Sequence, residues 1–175
     1  MSAAGLQHIV VMGVSGCGKS TIGAELGAQL GWPFEEGDRY HLPASIEKMS
    51  AGIPLGDADR WPWLEKLAAL IGEHQAAGRS SLMACSSLKR AYRDVLRTGA
   101  PRVRFLHLHG PREVLQARLD ARKGHFFPPE LLASQYAALE PLAPDEDGLV
   151  VDVALMPGEQ VAQALRGLGL DAAGA

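Results

Sequence analysis

The stretch Gly13-Val14-Ser15-Gly16-Cys17-Gly18-Lys19-Ser20, followed by Thr21, constrains this chain more than any other, because it fits G-x-x-x-x-G-K-[ST] at every fixed position. Gly13, Gly16 and Gly18 let the backbone curl so that successive N–H groups point into one concavity. The helix that follows adds its positive end, so a polyphosphate is held mainly by main-chain donors of the loop, Val14, Ser15 and Cys17 included. Lys19 is expected to reach the outer phosphates. Ser20 is expected to place its hydroxyl on a magnesium ion, which prefers oxygen ligands and keeps several waters. The pattern has meaning only between a strand and a helix, and both are legible. His8 to Met12 reads as a short buried strand before the loop, and Ile22, Leu26 and Leu30 at i, i+4, i+8 read as an amphipathic helix after it.

A length of 175 residues with 47% hydrophobic content suits a single globular domain spanning 1–175. A net charge of −3 gives no general attraction to nucleic acid or anionic membrane, so a cationic site has to be local and the partners are small molecules or proteins. The first apolar run ends at Gly13, too soon for a secretion signal or a membrane span. Cys17 and Cys85 are too few for a disulfide framework, and no Cys/His spacing suggests zinc, so a cytoplasmic protein is expected.

Beyond Gly31, Pro33-Phe34-Glu35 reads as a second strand ending in Glu36-Gly37-Asp38. In an open parallel sheet ligands bind beyond the carboxyl ends of strands, which places Asp38 to orient and deprotonate an incoming hydroxyl; an Asp in a turn or helix cap is the alternative. Residues 39–60 are polar and turn-rich, with a short helix over Ser45 to Ala51, and read as a substrate-binding insertion. Pro62 is expected in the first turn of a long helix whose buried face carries Trp61, Leu64, Leu67 and Ile71. Arg60 is either a ligand-binding cation or the partner of Asp57 or Asp59.

Ser81 to Cys85 reads as a third strand. The helix after it carries Lys89, Arg93 and Arg97 on one face, so that Lys89 and Arg93 could point toward the ligand while Arg97 stays in water. Val103 to His109 is a fourth strand, followed by a helix with Val114, Leu115 and Leu119 as its buried face. Arg118 and Arg122 then run into Lys123-Gly124-His125-Phe126-Phe127-Pro128-Pro129, a cationic helix end, a glycine hinge and a proline stop. This suits a lid over about 122–130, with arginine neutralising charge on the transferred group. Leu149 to Val153 is a fifth strand, closed by a helix with Val161, Leu165 and Leu168.

Strands and helices alternate throughout, so the fold class is α/β: a five-stranded, mainly parallel sheet with helices on both faces. Among phosphate-loop proteins, a guanine-specific GTPase commonly uses Asn-Lys-x-Asp, and this chain contains no asparagine. Asp145 to Gly148 and Asp171 to Gly174 come too late to be a switch. Leu149-Val150-Val151-Asp152, on the last strand, is better placed to border a base site than a metal. A compact small-molecule kinase is what remains.

Gly37-Asp38-x-x-His41, Ile46-Glu47-Lys48-Met49, Gly52-x-Pro54-Leu55, Asp59-Arg60-x-Pro62-Trp63-Leu64, Cys85-Ser86-x-Leu88-Lys89-x-x-Tyr92-Arg93 and Arg118-Leu119-x-x-Arg122-x-Gly124-His125-Phe126-Phe127 together resemble the gluconate kinase (gluconokinase) family, near relatives of shikimate kinase. The resemblance runs from about His8 to Asp152. It implies ATP and magnesium, D-gluconate as acceptor and 6-phosphogluconate as product for the pentose phosphate and Entner–Doudoroff routes, a nucleoside-monophosphate-kinase-like P-loop fold, and a homodimer.

By the same resemblance Asp38 is the base at the gluconate hydroxyl, and Arg60 and Arg93 hold the carboxylate, which a planar guanidinium meets with two parallel hydrogen bonds. His41, Lys48 and Lys89 fall in motifs lining the same pocket. Arg118 and Arg122 cover the nucleotide, with Arg118 stacking on adenine opposite Pro157. Cys17 stands where the family often has serine and Ser45 where asparagine is usual; the second departure touches a sugar-hydroxyl contact. A kinase of a related acceptor, such as shikimate or another sugar acid, and a non-catalytic nucleotide-binding regulator are the alternatives.

Overall fold

The structure, a computed structural model, describes residues 5–122 and 127–171. Five strands among them, β1 (His8–Met12), β2 (Phe34–Glu36), β3 (Ser81–Ala84), β4 (Val103–His109) and β5 (Gly148–Asp152), form one sheet in the order β2-β3-β1-β4-β5. Every pairing is parallel. The helices are α1 (Lys19–Leu30), α2 (Pro43–Ser50), α3 (Asp57–Ala76), α4 (Arg90–Arg97), α5 (Arg112–Asp120), α6 (Pro129–Ala138) and α7 (Pro157–Gly167), with a 3-10 turn over Gly37–Tyr40.

The central strand shows why the sequence folds this way. Successive side chains of β1 point to opposite faces: Ile9 and Val11 join a core with Ile22 and Leu26 of α1, Leu115 of α5 and Val161 of α7, while Val10 and Met12 join a second core with Trp63, Leu64 and Leu67 of α3 and Leu96 of α4. A strand covered on both faces reads as a continuous apolar run, which is the His8–Met12 pattern. Leu64 and Leu67 are wholly buried, and truncating either to alanine would cost about 2–5 kcal/mol. The strand order reverses at β1, so the crevice beyond its carboxyl end, where ligands collect in such sheets, belongs to the glycine loop.

Several boundaries differ from the sequence reading. β2 runs one residue later than Pro33–Glu35, and the short helix covers Pro43–Ser50 rather than Ser45 to Ala51. α3 starts five residues before Pro62, at Asp57, because Asp59 Oδ2 accepts the Gly56 N–H at 2.9 Å and caps the helix there. Pro62 is therefore interior to α3, and Trp63 rather than Trp61 fills the core. On α5, Leu115 and Leu119 are buried but Val114 is exposed.

Candidate active site

The loop between β1 and α1 needs glycine at its first position. Gly13 has φ 144°, and a Cβ there would lie 2.7 Å from both the Leu108 carbonyl oxygen and Cys17 Sγ. Its N–H donates to the Ser86 carbonyl at 3.2 Å, tying the loop to the end of β3. Lys19 Nζ donates to the Gly13 and Val14 carbonyls at 3.0 Å each, so the cation is held at the rim of the loop. Gly16 and Gly18 both take positive φ, and Gly18 leads directly into the first turn of α1, which carries Lys19, Ser20 and Thr21. The Cys17 side chain is buried beneath the loop, leaving its main chain to line it.

The alternation of β2 decides which of its two glutamates joins the site. Glu35 turns toward α3, where its Oε1 meets His74 Nε2 at 3.0 Å. Glu36 turns the other way and accepts a hydrogen bond from the Ser20 hydroxyl. Glu36 was not among the sequence candidates; the signal that could have found it is a second acid beside Asp38 at the carboxyl end of an edge strand. Two oxygen donors in contact suit a magnesium ion that keeps most of its waters.

A cleft of about 560 Å³ opens beside the loop. Among the described residues, the ionisable side chains lining it are Lys19, Asp38, His41 and Arg60, with Ile53, Leu55 and Leu88 among its apolar walls. Asp38 presents a side chain that is 72% exposed to this cleft, and His41 Nε2 stands 3.6 Å from its Oδ1. The His41 side chain, with Lys19 and Arg60, holds the Asp38 carboxyl below the usual carboxylate range against partial desolvation by the cleft walls. A carboxylate that stays ionised can accept a proton from an alcohol placed beside it. Asp38 lies in the 3-10 turn over Gly37–Tyr40, as the alternative reading had it, and its side chain also lines the cleft.

Arg60 is the cleft's guanidinium. Its Cζ lies 5.5 Å from the Tyr92 ring centroid, and it makes no ion pair or hydrogen bond among the described residues. Its two prospective partners are taken. Asp59 is paired with Lys48, at 2.9 and 3.0 Å, and Asp57 accepts from Lys89 at 3.2 Å and from the Tyr92 hydroxyl. These pairs are also why Lys48 and Lys89, expected as substrate-binding residues, do not line the cleft: each is drawn to an aspartate in the first turn of α3.

Arg93 corrects the sequence reading more sharply. It is wholly buried, and every arm of its guanidinium is engaged. Nε and Nη2 donate to Glu146 at 2.8 and 2.9 Å, Nη1 to the Ser87 carbonyl at 2.9 Å, and Nη2 also to the Pro141 carbonyl at 3.4 Å. Four of its five N–H groups are taken and the side chain is shut away from solvent, so Arg93 fastens α4 to the 141–146 segment instead. Arg97 does not stay in water as expected; it donates to Glu146 at 2.6 Å and packs 4.8 Å from the Phe105 ring centroid.

On the other side of the loop, Arg118 Nη2 donates to the Val153 carbonyl at 2.6 Å, bringing α5 against the connection from β5 to Pro157 at the start of α7. Arg122 is exposed just after α5. The lid expected over 122–130 falls partly outside the described residues, since 123–126 are not among them. Ser45, the departure expected to affect a sugar contact, is buried in α2 and is not among the cleft-lining residues.

Glycine loop, lysine, hydroxyl and carboxylate at the carboxyl end of the sheet can grip a polyphosphate and its cation while Asp38 and Arg60, lining the same cleft, can meet a second, smaller molecule. Known proteins resemble this chain over most of its length. A family model described as an AAA domain matches residues 9–142. The thermoresistant gluconokinase of Escherichia coli (strain K12) is 47% identical over 148 residues, which cover 83% of this chain and 85% of that protein. A sugar kinase from Janibacter sp. HTCC2649, solved without ligand, superposes with a TM-score of 0.92 at 49% identity, covering 98% of this chain and 99% of that one. A gluconokinase from Sinorhizobium meliloti 1021 superposes with a TM-score of 0.84 at 48% identity, over 93% and 91% of the two chains.

Proposed function

Because this chain belongs to the gluconokinase family, we propose that it transfers the terminal phosphoryl group of ATP to D-gluconate, giving 6-phosphogluconate. The observation that carries this reading is that Lys19 of the phosphate loop, Asp38 and Arg60 line one cleft. Phosphoryl transfer asks a protein for positioning and charge stabilisation rather than covalent chemistry. Main-chain N–H groups of the loop hold the triphosphate, and Lys19 leaves the Gly13 and Val14 carbonyls to meet it. Asp38 accepts the proton of the attacking hydroxyl. Arg60 receives the gluconate carboxylate, its other carboxylate partners being occupied.

Ser20 and Glu36 would hold magnesium, which supplies charge neutralisation between the outer phosphates. Arg118 and Pro157 border the base, and Arg122 stands at the entry to the lid. The same reading has two copies of the chain associating as a homodimer in the cytoplasm and delivering product to the pentose phosphate route. Gel filtration with light scattering measures the first of these.

The acceptor is tested by ADP release coupled to a reporter reaction across gluconate, shikimate, glycerate and nucleoside monophosphates. Turnover is expected with gluconate. Turnover on another of these acceptors, with none on gluconate, would overturn the assignment.

A further inference from the structure

Among the described residues, helix α6 hydrogen-bonds to the phosphate loop through Gln135. Leu132 is fully buried in the core, and the Tyr136 hydroxyl donates to the Gly110 carbonyl at 2.7 Å, so two anchors fix the helix on either side of Gln135. Held this way, the Gln135 carboxamide meets Ser15 with both of its ends. Its Oε1 accepts the Ser15 N–H at 2.7 Å, and its Nε2 donates to the Ser15 hydroxyl at 2.9 Å. Both residues line the cleft beside Lys19. A primary amide is the side chain that can do this, with a donor and an acceptor side by side and no charge.

The contact has two consequences. It takes the Ser15 N–H out of the set available to a phosphate oxygen, so the anion is left to the later amides of the loop, nearer α1. It also joins the loop to a helix that reaches the acceptor side. Just past α6, the Glu140 N–H donates to the Leu88 carbonyl at 2.7 Å, and its carboxylate accepts the Arg90 N–H at 3.0 Å, at the start of α4. Leu88 is itself a cleft wall. The loop that grips the donor and the strand end that borders the acceptor are thus spanned by one short stretch of chain.

We propose that Gln135 is a positioning residue for phosphoryl transfer: by clamping Ser15 it sets the shape of the phosphate loop and couples that loop, through α6, to the acceptor side of the cleft. The proposal rests on the kinase reading for its turnover arm alone. Its binding arm, affinity for a non-hydrolysable ATP analogue with magnesium, does not depend on the acceptor.

Three variants test it by calorimetry and steady-state kinetics. Gln135→Met keeps the length and packing of the side chain and loses both hydrogen bonds. It is expected to keep the thermal midpoint within a few degrees, weaken analogue binding roughly tenfold and lower kcat, with the gluconate KM within about twofold of wild type. Gln135→Glu keeps the shape and places a negative charge beside the triphosphate. Its loss should be larger still and should shrink as salt is raised. Ser15→Ala removes only the hydroxyl contact and should cost less than Gln135→Met, and the double variant should be no worse than Gln135→Met alone, because that contact is already lost there. Wild-type analogue affinity and kcat in Gln135→Met, a defect confined to the gluconate KM, or fully additive losses would each overturn the proposal. Loss of gluconate turnover by the wild-type enzyme's own assay, with normal analogue binding and a Gln135 effect on it, would instead count against the acceptor and leave Gln135 supported.

Discussion

His41 lies face to face with Trp63, ring centroids 4.0 Å apart and planes 19° from parallel. Trp63 is in turn fixed by donating its indole N–H to the Gly37 carbonyl at 2.8 Å, one residue before Asp38. The base proposed for the reaction is therefore set by a core residue of α3, with His41 as the intermediate. His41 Nδ1 is buried without a partner among the described residues, so the ring is held by stacking rather than by a hydrogen bond at that nitrogen.

The first prediction concerns that intermediate. His41 heads the influences that keep the Asp38 carboxyl below its ordinary range. Removing it in His41→Ala should let the pKa rise, and the acid limb of kcat/KM should move to higher pH. A pH profile of the two proteins measures this, and an unmoved limb would contradict the role given to His41.

Arg60 should govern the acceptor and not the donor. Arg60→Ala is expected to raise the gluconate KM about 10- to 100-fold, the range for losing hydrogen bonds to a charged group, with the ATP KM nearly unchanged. Arg60→Lys keeps the charge but not the fork, and should recover little of the loss. Unchanged gluconate KM in both variants would remove Arg60 from the site.

Arg93 should govern stability. Glu146 and Arg93 are a buried pair, with side chains 1% and 0% exposed, and leaving one without the other typically costs about 3–5 kcal/mol. Arg93→Met and Glu146→Gln should each lower the thermal midpoint. Burial pulls the Glu146 carboxyl up, but Arg93, the Ala143 N–H and Arg97 outweigh it and bring the pKa down to about 2. The folded-state value lies below the unfolded one, so this stabilisation is complete above the unfolded carboxylate range and is lost as pH falls toward about 2. Unfolding midpoints measured down that range should fall more steeply for wild type than for Glu146→Gln. A variant of Arg93 that melts normally but binds gluconate poorly would contradict this structural role.

Much of the fold was legible because it rests on local patterns. Five short runs, four of them apolar, became five strands, and the glycine loop fell between β1 and α1 where its spacing required. What the sequence concealed were pairings between distant residues. The stripe of Lys89, Arg93 and Arg97 looks like a ligand face from helical spacing, yet its carboxylate partners stand at Asp57 and Glu146, on other elements. Arg60 looked like a candidate partner for Asp57 or Asp59 because it is their neighbour in sequence, but lysines from elsewhere take both. Glu36 was hidden because it stood just past the strand read at Pro33–Glu35, whereas it is the last residue of β2. Gln135 carried no motif at all, and only the docking of α6 on the loop reveals it.

The most direct measurement is on Asp38 itself. In Asp38→Asn the side chain keeps its shape and loses the capacity to take a proton, so kcat should drop on the order of a hundredfold to ten-thousandfold while ATP affinity stays at the wild-type level. Turnover within a few-fold of wild type, with ATP still bound, would contradict the central claim that the carboxylate beyond β2 prepares the acceptor for the phosphate held at the end of β1.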